Sequence, residues 1–175
     1  MPVQYPPGVL REHLHCRAAA GLFDVSHMGE VRIHGPQARD FVQALVTNDV
    51  AKLEPEGTEP AGVGRAMYCA MCYADGGTVD DLLVYRLDEN DYLLVVNASN
   101  TEKDLAHMRA ELERRGMDCT IVDESDEMAL LALQGPRALE ILARVTDLPV
   151  ADVPYYQFLR PPAGVFLGCE RAIIS

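Results

Sequence analysis

The sequence predicts an α+β fold, a mixed and mostly antiparallel sheet with helices packed on it. Three observations carry that expectation. Apolar runs of strand length, such as Ala66–Tyr73, Leu82–Tyr85 and Tyr92–Val96, are separated by turn residues at hairpin spacing. One longer stretch, from about Thr101 to Arg115, has the apolar spacing of an amphipathic helix. A strand, a Gly-Pro turn and a helix occur twice, once around Gly35-Pro36 and again around Gly135-Pro136.

The first copy of this repeat runs Val31-Arg32-Ile33-His34-Gly35-Pro36-Gln37-Ala38-Arg39, and the second runs Leu131-Ala132-Leu133-Gln134-Gly135-Pro136-Arg137-Ala138-Leu139. Proline is pre-organised for the first helical turn. Phe41, Val42 and Leu45 in one copy, and Ile141, Leu142 and Val145 in the other, form the apolar stripe of each helix. Two such units predict a duplicated core in which both helices pack on one sheet.

Between the copies the chain reads as a Pro/Gly/Glu-rich loop from Glu54 to Gly64, a buried strand around Tyr68 and a turn at Gly76-Gly77. A strand containing Asp80 and Asp81 follows, then the buried strand Asp91–Asn97. Asn97-Ala98-Ser99-Asn100-Thr101 forms the joint into the long helix, with Asn100 or Thr101 as its N-cap and Gly116 as its end.

Composition limits the functions available. The chain has 175 residues and is 49% hydrophobic and 24% charged, an ordinary globular composition. A formal charge of -12 without a basic stripe argues against a nucleic-acid surface. No window approaches the run of about 20 apolar residues that spans a bilayer, and Met1-Pro2-Val3-Gln4-Tyr5 is not a signal peptide. Five cysteines do not form a secreted disulfide framework, so reduced thiols and a cytoplasmic location are expected, or a mitochondrial one in a eukaryote. Cys69-Ala70-Met71-Cys72 lacks a second ligand pair and lies in an apolar strand, so no metal site is expected. Gly76-Gly77 lacks the spaced glycines and following helix of a dinucleotide loop.

The most informative stretch is Gly76-Gly77-Thr78-Val79-Asp80-Asp81-Leu82-Leu83-Val84-Tyr85. Asp is depleted in strands, and a carboxylate entering an apolar environment needs a partner or a ligand. Alternation puts Asp81, Leu83 and Tyr85 on one face and Asp80, Leu82 and Val84 on the other, so one carboxylate can face a cavity while its neighbour does not. The doublet also suits a simple hairpin cap. In Phe23-Asp24-Val25-Ser26-His27-Met28-Gly29 all three residue types of a hydrolase triad occur, but sequence neighbours on an extended segment point to opposite faces and cannot assemble one.

Four ordered motifs resemble the aminomethyltransferase family, the T-proteins of the glycine cleavage system. They are Gly21-Leu22-Phe23-Asp24-Val25-Ser26-His27-Met28-Gly29, Gly76-Gly77-Thr78-Val79-Asp80-Asp81-Leu82, Val95-Val96-Asn97-Ala98-Ser99-Asn100 and Leu131-Ala132-Leu133-Gln134-Gly135-Pro136. The resemblance implies a folate-binding domain and transfer of a methylene from an aminomethyl-lipoyl group on the H-protein to tetrahydrofolate, with release of ammonia. It implies that Asp81 matches the catalytic aspartate and that Met28, Tyr68 and Asn97 match folate-contacting positions. Asp80 is a further candidate that either supports Asp81 or closes the turn. The family pattern would begin earlier than Met1 and continue beyond Ser175 into an Arg-Thr-Gly-Tyr-Thr-Gly-Glu segment, and the loop before Tyr68 is longer than usual. The expectation is therefore a folate-binding domain over 1–175, truncated at both ends. The alternative is a folate-dependent demethylase or a non-catalytic folate-binding protein of the same fold.

Overall fold

The first repeat unit folds as its pattern requires. In the computed structural model, which describes residues 5–55 and 63–175, a first helix α1 (Val9–Ala18) and a short strand β1 (Gly21–Asp24) lead into β2 (Gly29–His34) and α2 (Ala38–Leu45). Phe41, Val42 and Leu45 are all buried on the inner face of α2. Gly35 takes a φ of 127° at the turn, and Ala38 N–H closes it onto Gly35 O at 2.9 Å. Pro36 lies ahead of the helix rather than in its first turn, because Gln37 is the residue that leads into α2.

A single 3-10 turn (Val50–Leu53) follows. Residues 1–4 and most of the loop expected over 54–64 lie outside the described residues, and 63 and 64 already belong to the next strand. Three antiparallel strands come next: β3 (Val63–Cys72), β4 (Thr78–Asp88) and β5 (Asp91–Val96). Gly76, at φ 87°, makes the hairpin turn between β3 and β4. After a short 3-10 turn (Ala98–Asn100), α3 (Thr101–Arg115) ends at Gly116, whose φ of 63° closes the helix in the left-handed conformation. β6 (Thr120–Asp123), β7 (Leu131–Gln134), α4 (Ala138–Leu142) and β8 (Gln157–Leu159) complete the fold.

Six strands make one sheet in the order β6-β2-β5-β4-β3-β8. Every pairing in it is antiparallel. Its inner face carries Val31, Ile33, Tyr92, Leu94, Val96, Leu82, Val84, Met67, Cys69 and Met71, covered by α2 and by Leu105 and Met108 of α3. Cys69 thus acts as a small core side chain, and burial pushes its thiol up to about 11. At roughly 25 cal/mol per Å² of apolar surface, this one-sided burial is the main stabilising term.

The second repeat unit departs from the expectation. Its strand β7 pairs with β1 in a separate two-stranded ribbon, not with the main sheet. Its turn has the same local geometry, with Gly135 at φ 109° and Ala138 N–H bonded to Gly135 O at 3.0 Å. The docking partner differs: Gln37 N–H bonds to Asp118 O, whereas Arg137 N–H bonds to Ala19 O at the end of α1. The ribbon offers no broad apolar face, so α4 spans only five residues and Leu139, Ile141 and Val145 stay exposed. The unit is duplicated, but its two helices do not share a sheet. Among the described residues no helix is long and apolar enough to cross a membrane.

Candidate functional site

The antiparallel register of β3, β4 and β5 brings one end of each strand to the same place. Ala70 pairs with Asp81 and Leu82 with Val96, so Asn97, one residue past β5, falls beside the start of β4. Met28 precedes Gly29, whose partner is Val96, so its backbone reaches the same end of the sheet. The chain therefore gathers Met28, Tyr68, Asp80, Asp81 and Asn97 around one sheet edge from four separate strands or their ends.

The two aspartates separate as strand alternation requires. Asp81 is exposed, on the face shared with Leu83 and Tyr85, while Asp80 is only 6% exposed and points toward the core with Leu82 and Val84. Tyr68 Oη donates to Asp81 Oδ2 at 2.9 Å. That bond and the nearby carboxylate charge raise the phenol above its ordinary value. The Asn97 amide nitrogen donates to Asp81 O at 2.9 Å and Asp80 Oδ1 at 3.1 Å, with a longer contact of 3.4 Å to Asp81 Oδ1. One amide thus links the exposed carboxylate to the buried one. Met28 is half-buried, with its N–H donated to Val25 O, and it makes no side-chain link to this network.

Three further residues, none of them among the expected site residues, take part. Asn100 stands at the N-cap position of α3, but its side chain donates to Asp80 Oδ1 at 2.9 Å and leaves the helix uncapped. Asp104 is fully buried on α3, one turn after Asn100, and neither of its oxygens has a hydrogen-bond partner among the described residues. Lys103 Nζ donates to Val79 O at 2.6 Å and lies 3.9 Å from Asp104 Oδ1. A signal for Asp104 does exist in the sequence: Asp104, Leu105 and Met108 fall on one helical face, so the carboxylate belongs to the buried stripe.

The electrostatics follow from this arrangement. Burial opposes ionisation of Asp80, but the neighbouring Asp104 carboxyl, the Asn97 and Asn100 amides and the Asp81 backbone outweigh it and hold the carboxyl below its ordinary value. Asp104 goes the other way, pushed up to about 7 by burial and then by the bond and charge of Asp80. The edge thus presents an exposed carboxyl group steadied by a phenol and an amide. Leu83 and its register partner Val95 form an apolar floor on the same face. Such a surface suits a flat ligand with a polar edge and a centre that becomes cationic during reaction.

The model of the family described as the GCVT N-terminal domain matches residues 1–165. An aminomethyltransferase of Oceanobacillus iheyensis is 48% identical over 176 residues, covering 100% of this chain and 44% of its own length. One from Bacillus subtilis is 51% identical over 159 residues, covering 91% of this chain and 41% of its own length. Among solved structures, the glycine cleavage system aminomethyltransferase T from Bartonella henselae superposes with a TM-score of 0.76 at 37% identity, over 93% of this chain and 41% of that one. The chain spans less than half the length of the curated relatives it matches.

Proposed function

The chain belongs to the family of the GCVT N-terminal domain, and from that premise we propose that it supplies the folate-binding part of an aminomethyltransferase of the glycine cleavage system. In this reading the substrate is an aminomethyl group carried on the lipoyl arm of the H-protein. Its methylene passes to tetrahydrofolate, ammonia leaves, and the lipoyl sulfur is left as a thiol. Tetrahydrofolate contributes the two nitrogens that capture the methylene and gives up one proton from each, one to the sulfur and one to the departing amine.

The observation that carries the reading is the exposed Asp81 carboxylate, held from both sides by Tyr68 Oη and the Asn97 amide. A fixed carboxylate stabilises positive charge developing on the transferred carbon, and it relays a proton without first having to reorient. We assign that role to Asp81. Tyr68 and Asn97 orient the carboxylate and offer a ring and an amide to the pterin; Met28 supplies apolar contact at the same edge. Asp80 supports Asp81 from below through the shared Asn97 amide.

The test is a calorimetric titration of the chain with tetrahydrofolate, alongside Asp81→Asn and Asn97→Ala. The expected result is saturable binding that Asn97→Ala weakens by about tenfold or more. Binding unchanged by both substitutions would remove the pocket from this edge. An aminomethyl-transfer assay with lipoylated H-protein, run with Asp81→Asn in the complete enzyme, then separates capture of the folate from chemistry.

A further inference from the structure

We propose that Asp104 is a positioning residue for this site: as the protonated member of a buried carboxyl pair it donates to Asp80, fixing Asp80 as the acceptor that aligns the Asn97 and Asn100 amides beside Asp81. The proposal rests on the folate-site reading for its functional consequence, but its physical core stands on geometry alone.

Asp80 Oδ1 is occupied by two amide donors, from Asn97 at 3.1 Å and Asn100 at 2.9 Å. Its other oxygen is buried and has no N–H or O–H donor from a neutral or cationic group. Asp104 is 0% exposed, and neither of its oxygens has such a donor either. Asn100, whose amide holds Asp80 Oδ1, and Asp104 stand one turn apart at the start of α3, so the buried Asp104 carboxyl is set on the Asp80 side of the helix, where the Asp80 charge acts on it. Two carboxylates cannot bond to one another, because both only accept; a proton on one of them lets it donate to the other and relieves the orphaned oxygens together.

The proton belongs on Asp104. Asp80 is stabilised as an anion by the two amides and by the Asp81 backbone, whereas Asp104 has only the Lys103 ammonium at 3.9 Å, itself engaged with Val79 O. The charged groups acting on Asp104 are Asp80 and Asp81 from β4 and Lys103 from its own helix. On the other elements packed against α3, Arg39 of α2 pairs with Glu54 and Asp40, and Asp123 of β6 accepts from Ser125. A neutral Asp104 therefore acts as a fixed donor, and deprotonating it would set two buried anions against each other beneath the site.

The decisive experiment labels the Asp carboxyl carbons of the 175-residue chain with ¹³C and follows them by NMR against pH. The Asn97 side-chain amide is observed in parallel by ¹⁵N. The expected result is that Asp104 titrates well above the ordinary carboxylate range while Asp80 stays ionised through the same interval. Asp104→Asn retains an N–H donor toward Asp80, so it should leave the Asn97 amide resonance and tetrahydrofolate affinity near wild type. Asp104→Leu keeps the bulk without the donor, and should shift that resonance and weaken the affinity by about tenfold. An Asp104 that titrates with ordinary carboxylates, or an Asp104→Leu chain with an unmoved Asn97 amide, would overturn the proposal. Failure of the wild-type chain to bind tetrahydrofolate would overturn the folate reading instead, since the carboxyl and amide resonances decide the pair without any ligand.

Discussion

Tyr68 reaches Asp81 diagonally: its register partner across β3 and β4 is Leu83, yet its hydroxyl donates to Asp81 Oδ2, two residues along the strand, at 2.9 Å. Diagonal neighbours on one sheet face stand about 7–8 Å apart at the backbone, a gap that a tyrosine spans and a shorter side chain does not. The carboxylate is thereby fixed from the strand next to its own, while Asn97 holds it from the other side.

Tyr68→Phe isolates that bond. Tyr68 is 52% exposed, so losing the hydroxyl removes little packing, and the melting temperature should stay within about 3 °C of wild type. Tetrahydrofolate affinity should fall severalfold, because Asp81 then rotates freely between solvent and site. Calorimetry and a thermal melt on the same sample check both halves. An affinity equal to wild type would mean that Asn97 alone orients Asp81.

Much of this edge is legible in the sequence. The alternation along Thr78–Tyr85 separates Asp80 from Asp81, and the structure keeps that separation. The stripe Phe41, Val42 and Leu45, the strand through Cys69, the hairpin at Gly76 and the helix ending at Gly116 all form as their residue patterns dictate. The second repeat departs from its pattern because local sequence specifies a strand, a turn and a helix start but not the partner. β7 finds β1, and the Gly135 turn finds Ala19, through contacts distant in sequence. Asn100 was legible as a helix-start residue, but the buried carboxylate that claims its side chain lies twenty residues back and outcompetes the cap.

Asn97→Ala should be the most damaging small change at the edge. It removes one donor from Asp80 and two contacts to Asp81, leaving a buried carboxylate with Asn100 as its remaining side-chain amide partner. Leaving a buried acceptor short costs about 1–3 kcal/mol. Chemical denaturation should show that loss. Asn97→Asp should be worse, since it adds a third carboxylate, and its deficit should shrink as pH is lowered. A deficit that grows at low pH would contradict the charge argument.

Gly29→Ala tests how tightly the site joint is packed. A Cβ there would meet Thr101 Oγ1 at 2.6 Å, Thr101 Cγ2 at 2.7 Å and Val96 Cγ2 at 2.7 Å. The first turn of α3 would have to move off β2, and with it the Asn97–Thr101 joint that carries both amides. Overpacking of this kind costs about 1–3 kcal/mol. Thr101→Ala removes two of the three clashing atoms, so the double variant should recover part of both stability and tetrahydrofolate affinity. Purely additive losses would show that the two positions do not press on one another.

Glu30 is, beside Asp104, another buried acid pushed up by its surroundings, and it brings a pH dependence. It is 1% exposed, neither carboxylate oxygen has a donor, and burial followed by the charge of Asp123 pushes it up to about 7 from 4.5. An acid whose value rises on folding favours the folded chain while protonated. Its contribution is complete below about 4.5 and is lost as pH rises through about 7. Asp104, raised from 3.8 to about 7, acts in the same sense over nearly the same interval. Glu111 works oppositely: Arg114 and then Arg115 hold it down to about 2, so its contribution is lost only as pH falls below the ordinary range. Stability should therefore decline between about pH 5 and pH 8, and Glu30→Gln should flatten part of that decline by being neutral throughout. Its gain over wild type should be about 1–3 kcal/mol at high pH, vanishing at low pH, as read from urea denaturation. Adding Asp104→Asn should flatten the remainder. If Glu30→Gln gains equally at both ends of the range, the effect comes from packing rather than from the proton that Glu30 keeps.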